Sequence, residues 1–253
     1  MTPAQLIESF HLAFLQVLAT RLNQRDYVLR GGANLRYFFG SHRYSEDIDF
    51  DAGGEESWKL EEKVDVALSA PSLTALLRRS AITIAQVTKP KQTETTQRWK
   101  LQLAVSGREE TVSTKVEFSR RNGDERFQLE AVPDRVVAPY ALRPPTVLHY
   151  LAAPATEQKV LALALRNEAQ ARDVFDLDLL FRGHPGAVAR GALTSLTLTQ
   201  AAEHCLELPF EAFEAQVLPF LEPDVAELYT DPAVWEQIRA YVIDQLGALD
   251  AND

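Results

Sequence analysis

The sequence contains a single cysteine, Cys205, among 253 residues, which excludes a disulfide within the chain. A lone thiol also fits a reducing compartment, where disulfides are rare. No apolar run approaches the roughly 20 residues that a membrane-spanning helix requires. The first residues, MTPAQLIESFHLAFLQ, carry Glu8 and lack the basic start of a secretory signal. These absences predict a cytoplasmic protein with no membrane partner.

A net positive charge is also absent, since the formal net charge is −10. The acidic excess lies in residues 183–253, where Arg190 and Arg239 stand against 12 acidic residues, whereas residues 1–182 hold 24 basic and 24 acidic residues. A neutral body can still present a basic groove, so the composition does not exclude a nucleic-acid partner. The acidic tail region is either a soluble helical surface or a surface that faces away from nucleic acid or binds a basic protein.

The first part of the chain alternates between predicted helices and predicted strands. Alternating apolar residues indicate strands, and apolar residues three or four apart indicate helices. Predicted helices cover residues 3–25, 34–39 and 57–79, the last divided by Pro71, and predicted strands cover residues 27–30, 47–51, 81–87, 97–105 and 111–118. Residues 127–138 add a further strand or an extended segment. This part of the chain therefore predicts a small mixed sheet with flanking helices.

A domain boundary is predicted at Pro144-Pro145, because prolines favour extended linkers. Beyond it, helices are predicted over residues 146–153, 157–182, 199–206, 210–221 and 232–248. The predicted fold class is α/β (α+β), with a mixed sheet followed by a helical carboxy-terminal half. We expect a core domain over residues 1–143 and a helical domain over residues 144–253, which completes the active site and includes the acidic tail region.

The stretch LRGGANLRYFFGSHRYSEDIDFD, residues 29–51, carries the main chemical signal. A strand that ends in Gly31-Gly32 and turns into a helix lets backbone N–H groups approach a phosphate. On the next strand Asp47 and Asp49 share one face with Asp51, and carboxylates at this spacing can hold Mg²⁺. Just upstream, Arg43 and Ser45 supply a cation and a hydroxyl that can hold a triphosphate.

A third carboxylate is expected from another strand, and Glu117 fits this role because alternation places it on one face with Lys115. Three acids around two metal ions, with a glycine-rich phosphate turn, suit in-line attack of a hydroxyl on an α-phosphate. A second cluster lies in the helix predicted over 157–182. Its charged members, spaced seven, seven and three residues apart along one face, are Lys159, Arg166, Asp173 and Asp176.

Each signal taken alone has a simpler interpretation. A Gly-Gly pair is often an ordinary turn, an acidic triplet is often a solvated strand, and an Arg–Asp pair in a helix is often a local salt bridge. The triplet also imitates the start of a calcium loop, but that pattern fails at Ala52 and Trp58, where it requires glycine and glutamate. The combination of these signals, in this order, favours a functional site.

The combination resembles the nucleotidyltransferase fold of the DNA polymerase β type, and more closely its AbiEii branch. That branch comprises toxins of bacterial toxin–antitoxin and phage-defence systems, with MenT toxins as relatives. The resemblance rests on the Gly-Gly turn, the Arg-x-Ser-x-Asp-x-Asp stretch, the Lys-x-Glu strand and the later charged cluster, over roughly residues 25–182. It implies an enzyme that takes a nucleoside triphosphate (NTP), requires two Mg²⁺ ions and releases pyrophosphate.

The resemblance also implies roles for individual residues. Asp47, Asp49 and Glu117 would be the metal ligands and catalytic acids. Lys159 would neutralise phosphate charge, and Asp176, ahead of Asp173, would be the late essential acid. Nucleotide-binding residues would be Gly31, Gly32, Arg43, Ser45 and Arg166.

Kinship also implies an RNA acceptor, the 3′ end of tRNA, and a cognate antitoxin. Basic residues interleaved with Tyr37, Phe38, Phe39 and Trp99 are compatible with RNA binding. These basic residues are Arg36, Lys89, Lys91, Arg98, Lys100, Arg120 and Arg121. One alternative is a nucleotidyltransferase that modifies an aminoglycoside-like small molecule or a protein, and another is a non-catalytic nucleotide-binding module. Clustered carboxylates disfavour the module, since their mutual repulsion is costly.

Overall fold

The computed structural model describes residues 1–54, 56–120 and 126–250, and the chain divides into two compact units. The first unit comprises Met1–Phe38 and Tyr44–Tyr150, and the second comprises Phe39–Arg43 and the chain from Leu151 onward. The predicted boundary at Pro144-Pro145 lies inside the first unit, because the strand that follows these prolines belongs to that unit's sheet.

The first unit is built on a mixed sheet, which confirms the predicted fold class. In the described residues its strands are β1 (Tyr27–Arg30), β2 (Asp47–Ala52), β3 (Ile82–Gln92), β4 (Thr96–Val105), β5 (Thr111–Ser119), β6 (Phe127–Ala131) and β7 (Thr146–Tyr150). Their order across the sheet is β3-β4-β5-β2-β1-β7-β6. Strand β2 is antiparallel to β1 and parallel to β5, so it lies near the middle of the sheet.

Helices cover one face of this sheet. The helices of the first unit are α1 (Pro3–Leu18), α2 (Gly31–Phe38), α3 (Ser57–Leu68), α4 (Pro71–Arg78) and α5 (Asp134–Val137). Helix α1 starts with a capping box formed by Thr2 and Gln5, and it ends earlier than predicted. The buried face carries Trp99, whose indole N–H donates to Asp65 of α3, and Phe118, which stacks on Phe50. Alternate residues of β2, β4 and β5 therefore point into the core, and those between them point to the open face.

The helix predicted over residues 146–153 is wrong, because residues Thr146–Tyr150 form strand β7. This strand pairs in parallel with β1 and in antiparallel with β6, and four of its five residues are buried. A strand buried on both faces shows a continuous apolar run instead of alternation, so its period does not distinguish it from a short helix.

The second unit is helical, as predicted for this half of the chain. Its helices in the described residues are α6 (Ala152–Leu165), α7 (Ala171–Gly183), α8 (Ser195–Glu207), α9 (Phe210–Gln216), α10 (Pro223–Ala226) and α11 (Pro232–Ala248). Trp235 stacks on Phe213 with ring centroids 4.7 Å apart, and both are fully buried. The acidic tail region thus supplies part of this unit's core as well as its surface. Within the described residues, no helix is long and apolar enough to cross a membrane.

The single helix predicted over residues 157–182 is also wrong, because two helices, α6 and α7, occupy this stretch. The chain leaves α6 at Arg166, whose backbone is extended, and Gln170 is also extended before α7 starts. Between them, Asn167 and Glu168 are exposed, and Ala169 is partly buried against the core of the second unit. Helix α7 therefore starts anew and packs against α6.

Candidate active site

The predicted acids of the first unit lie side by side on the open face of the sheet. Strands β2 and β5 are parallel, and their register places Asp47 opposite Lys115 and Asp49 opposite Glu117. Ile48, between the two aspartates, is fully buried on the other face. The structure therefore brings Asp47, Asp49 and Glu117 together, although Glu117 lies far away in the sequence.

Lys115 occupies the space between these three carboxylates. Its Nζ lies 3.1 Å from Asp47 Oδ2, 3.6 Å from Glu117 Oε2 and 3.8 Å from Asp49 Oδ1. Desolvation opposes the charge on Lys115, but the three acids outweigh it and raise its pKa above the usual value. An ammonium group is thus the counter-charge of this cluster.

The surroundings of Asp49 make further positive charge beside it favourable. Burial raises the pKa of Asp49, and Asp47 adds to this rise against the opposing effect of Lys115. Burial would also raise the pKa of Glu117, but Lys115 and Arg98, whose Nε donates to Glu117 at 2.6 Å, hold it below its usual value. Nearby cations therefore offset the cost of burying the charge of Glu117, but they do not fully offset it for Asp49.

The chemistry of the donor set fits a divalent metal ion. All three groups offer carboxylate oxygens, which Mg²⁺ prefers, and they already surround one positive charge. Across the described ranges of the chain, no three or more His, Cys, Asp or Glu side chains stand as a ready-made metal cluster. Lys115 holds the centre of the acidic group, so a metal ion would have to replace or join its ammonium.

Asp51 has a different role from the other two aspartates of β2. Its carboxylate is buried and accepts hydrogen bonds from Arg30 Nη1 and from the Tyr150 hydroxyl, both at 2.9 Å. These bonds join β2 to β1 and β7. Asp51 is therefore a structural acid that connects three strands.

Gly31 begins helix α2 directly beside Asp49. Its φ of +68° lies in the left-handed region, and a Cβ added at this position would lie 3.2 Å from Asp49 Oδ2. Both the backbone conformation and the close approach therefore require glycine here. Gly32 follows in the first turn of the same helix, where backbone N–H groups have no intrahelical partners.

We predict that Gly31→Ala reduces nucleotide transfer by about a hundredfold, the effect of about 1 Å of misplacement at a reacting group. The added Cβ displaces the Asp49 carboxylate, and the left-handed backbone also costs about 1–2 kcal/mol of unfolding free energy. Steady-state kinetics and urea unfolding of the purified variant measure the two effects.

Gly107→Ala is the matched control for this substitution. Gly107 has a φ of +83°, and a Cβ there would meet nothing within 4 Å. The control should show a similar loss of stability with unchanged transfer. Equal losses of activity in the two variants would show that the contact with Asp49 is irrelevant.

Ser45 leads into β2, and its hydroxyl donates to the backbone carbonyl of Asp47 at 2.7 Å. The hydroxyl is partly buried, and this bond fixes the start of the strand that carries both aspartates. Its predicted contact with a triphosphate stays a prediction.

The second unit contains a separate, buried charge cluster. Arg43 donates to Asp176 through Nη2 at 2.7 Å and through Nε at 3.1 Å. Lys159 Nζ lies 2.7 Å from Asp176 and 2.8 Å from Asp173, and Arg166 Nη1 lies 3.3 Å from Asp173. Both aspartates are fully buried. The four charged residues that were expected on one face of a single helix therefore meet because α6 packs against α7. Arg43 is a fifth member of the cluster.

Asp176 is ionised in this cluster by its two cationic partners. Burial alone would raise its pKa, but Arg43 and Lys159 outweigh burial and hold the pKa below its usual value. The side chains of Arg43 and Lys159 are only 4% and 11% exposed, whereas that of Arg166 is 39% exposed. Asp176 therefore acts here as an anchor for two buried cations, and Arg166 is the most accessible cation of the cluster.

Most of the residues predicted to flank RNA are engaged elsewhere. Arg36 is buried and pairs with Glu8, and Lys89 pairs with Glu61 and Asp65. The predicted aromatic platforms Tyr37 and Trp99 are fully buried, and Phe38 stacks on His149. The expectation of aromatic side chains interleaved on an RNA surface is therefore wrong for Tyr37 and Trp99, while Arg121 lies outside the described residues.

Sequence reasoning missed the basic partners of the acids. The sequence places Lys115 on one face with Glu117, and Arg98 among the basic residues compatible with RNA binding, but it does not indicate that either side chain pairs with the acids. The signal was available for Arg98, because alternation along β4 places it on the open face opposite Glu117. The position of Lys115 depends on the parallel pairing of β2 with β5, which local periodicity does not reveal.

Comparisons with known proteins identify the family and the fold of the chain. The family model described as "Nucleotidyl transferase AbiEii toxin, Type IV TA system" matches residues 13–246. The crystal structure of JHP933 from Helicobacter pylori has a TM-score of 0.58 at 18% identity, covering 97% of this chain and 94% of that chain. A second H. pylori structure, described as a candidate nucleotidyltransferase, has a TM-score of 0.57 at 17% identity, covering 96% of this chain and 95% of that chain. At these identities the two structures show a shared fold alone. No curated protein matches the chain.

Proposed function

The chain belongs to the AbiEii nucleotidyl transferase toxin family of type IV toxin–antitoxin systems, and from this premise we propose that it transfers a nucleoside monophosphate from an NTP to the 3′ end of tRNA. The family makes the chain a nucleotidyltransferase and implies an antitoxin as a partner. Membership disfavours the non-catalytic nucleotide-binding module. The RNA acceptor and the use of Mg²⁺ are the parts that we add.

The observation that carries the proposal is the trio of carboxylates around one cation beside a glycine turn. Asp47, Asp49 and Glu117 would hold two Mg²⁺ ions, which supply Lewis-acid polarisation of the phosphates and lower the pKa of the attacking hydroxyl. The backbone N–H groups of Gly31 and Gly32 at the start of α2, with Ser45, would bind the triphosphate. Lys115 would add positive charge where phosphate oxygens gather.

In the reaction, the 3′ hydroxyl oxygen of the acceptor forms a bond to the α-phosphorus. At the same time, the bond between the α-phosphorus and the oxygen that bridges it to the β-phosphate breaks. Pyrophosphate leaves with the electron pair of that bond, and the hydroxyl proton passes to solvent. The protein has little covalent work in such a transfer, so positioning and charge stabilisation provide the catalysis.

The charge cluster of the second unit would contribute positioned positive charge. Arg166 is the most exposed cation of this cluster, and we propose that it binds a phosphate of the nucleotide. Lys159 and Arg43 would add positive charge from their buried positions. Asp176 would act through these cations by holding them in place, and therefore as a positioning residue.

The test incubates the purified protein with Mg²⁺, total tRNA and each of the four α-³²P-labelled NTPs in turn. We expect label from a restricted set of NTPs to enter tRNA, resolved on a denaturing gel. Parallel reactions offer an aminoglycoside and a protein extract as acceptors. Label that enters only one of these alternatives would refute the RNA acceptor and leave the nucleotidyltransferase assignment intact.

A further inference from the structure

The open face of strands β3, β4 and β5 combines several positive charges with a near absence of acid. Positions on this face alternate with the buried core positions along β4 and β5, and the pairing of the strands aligns them in rows with residues of β3, in which two register shifts interrupt the alternation. The rows carry Lys91, Arg98, Lys100 and Lys115 against one acid, Glu117, and their other residues are Thr, Ser, Gln and Ala. A chain with a formal net charge of −10 thus concentrates cations on one patch of sheet.

The rows lead directly to the acids of the candidate active site. In one row Lys100 lies opposite Lys115, which lies opposite Asp47. In the next row Lys91 lies opposite Arg98, then Glu117 and Asp49 follow. Neighbouring strands are about 4.8 Å apart, so the backbone of Lys100 is about 10 Å from that of Asp47.

The four cations differ in whether they form an ion pair with an acid. Arg98 and Lys115 are committed to the acidic cluster. Lys91 and Lys100 are exposed, and neither has an ion pair within the parts of the chain that the structure describes. Two unneutralised ammonium groups on neighbouring strands of a polar face complement the repeated negative charges of an extended polyanion.

We propose that this open face of β3, β4 and β5 binds the sugar–phosphate backbone of the RNA acceptor, with Lys91 and Lys100 as its main phosphate contacts. The inference rests on the proposed function, because it places the surface beside the acids that would perform the transfer. Phosphate contacts of this kind position the RNA without reading its sequence. Selection of the acceptor end would then depend on the residues around Asp47 and Asp49.

The test compares the double variant Lys91→Ala/Lys100→Ala with wild-type protein in a fluorescence anisotropy titration of 5′-labelled total tRNA without NTP. We expect the affinity to fall by about tenfold, and the slope of log affinity against log salt to become shallower by about 1.4–1.8 units. In transfer assays the KM for tRNA should rise, while kcat at saturating tRNA and the KM for NTP stay within about twofold of wild type.

The control variant is Lys59→Ala/Arg79→Ala, which removes two positive charges from exposed residues, one on α3 and one directly after α4. It should bind tRNA as wild type does. Unchanged tRNA affinity and an unchanged KM for tRNA in Lys91→Ala/Lys100→Ala would overturn the proposal. It would also be overturned if this variant lost binding to an acidic protein while its tRNA affinity stayed the same. Wild-type protein that binds tRNA through these lysines but transfers no nucleotide to it would uphold this surface and refute the proposed function.

Discussion

Asp49→Asn is expected to lower nucleotide transfer by about a thousandfold. This is the upper end of the range for removing one group that stabilises the charge of a transition state. The substitution keeps the size of the side chain but removes the charge beside Asp47 and Lys115. Because burial already raises the pKa of Asp49, neutralising it should not lower the unfolding free energy. Single-turnover kinetics with saturating NTP, together with urea unfolding, measure both quantities.

Asp51→Asn is the informative comparison on the same strand. It weakens the bonds to Arg30 and Tyr150, so it should cost about 1–3 kcal/mol of unfolding free energy. Its transfer activity should stay within about tenfold of wild type, because its carboxylate faces these partners instead of the acidic cluster. An activity loss in Asp51→Asn equal to that in Asp49→Asn would mean that the catalytic acids are assigned to the wrong residues.

Asp176→Asn is expected to lower the unfolding free energy by about 3–5 kcal/mol, the cost of breaking a buried ion pair from one side. The neutral side chain leaves Arg43 and Lys159 in a buried position with reduced compensation. Denaturant unfolding measured by tryptophan fluorescence, to which Trp235 in the core of the second unit contributes, and by circular dichroism measures the loss.

Asp178→Asn provides a control two residues away on the same helix. Asp178 pairs with Arg182, whose side chain is 54% exposed, so its loss should cost less than about 1 kcal/mol. A fully stable Asp176→Asn protein that has lost transfer would contradict the anchoring role and make Asp176 a directly catalytic acid.

Much of the candidate site could be predicted from the sequence because its signals are local. The alternation in Asp47-Ile48-Asp49-Phe50 identifies a strand with one acidic face, and the structure contains that strand as β2. The glycine pair likewise marks the start of a helix, although α2 begins at Gly31 instead of Asn34. Glu117 could be chosen because its own strand alternates.

The errors arose where distant pairing determines the structure. Strand β7 is buried between β1 and β6, so its apolar run carries no alternation. The break between α6 and α7 falls in Arg166–Gln170, whose residues individually tolerate a helix, so composition does not reveal it. Asp51 shares a face with Asp47 and Asp49 by period, yet Arg30 and Tyr150 from two other strands convert it to a structural acid.

The most direct test of nucleotidyl transfer at Asp47, Asp49 and Glu117 compares the same NTP labelled with ³²P at the α or at the γ position. With Mg²⁺ and tRNA, label should enter RNA only from the α position, γ label should appear only in pyrophosphate, and Asp49→Asn should transfer neither. Entry of γ label into RNA would identify a phosphoryl transferase, and undiminished α transfer by Asp49→Asn would place the chemistry elsewhere in the chain.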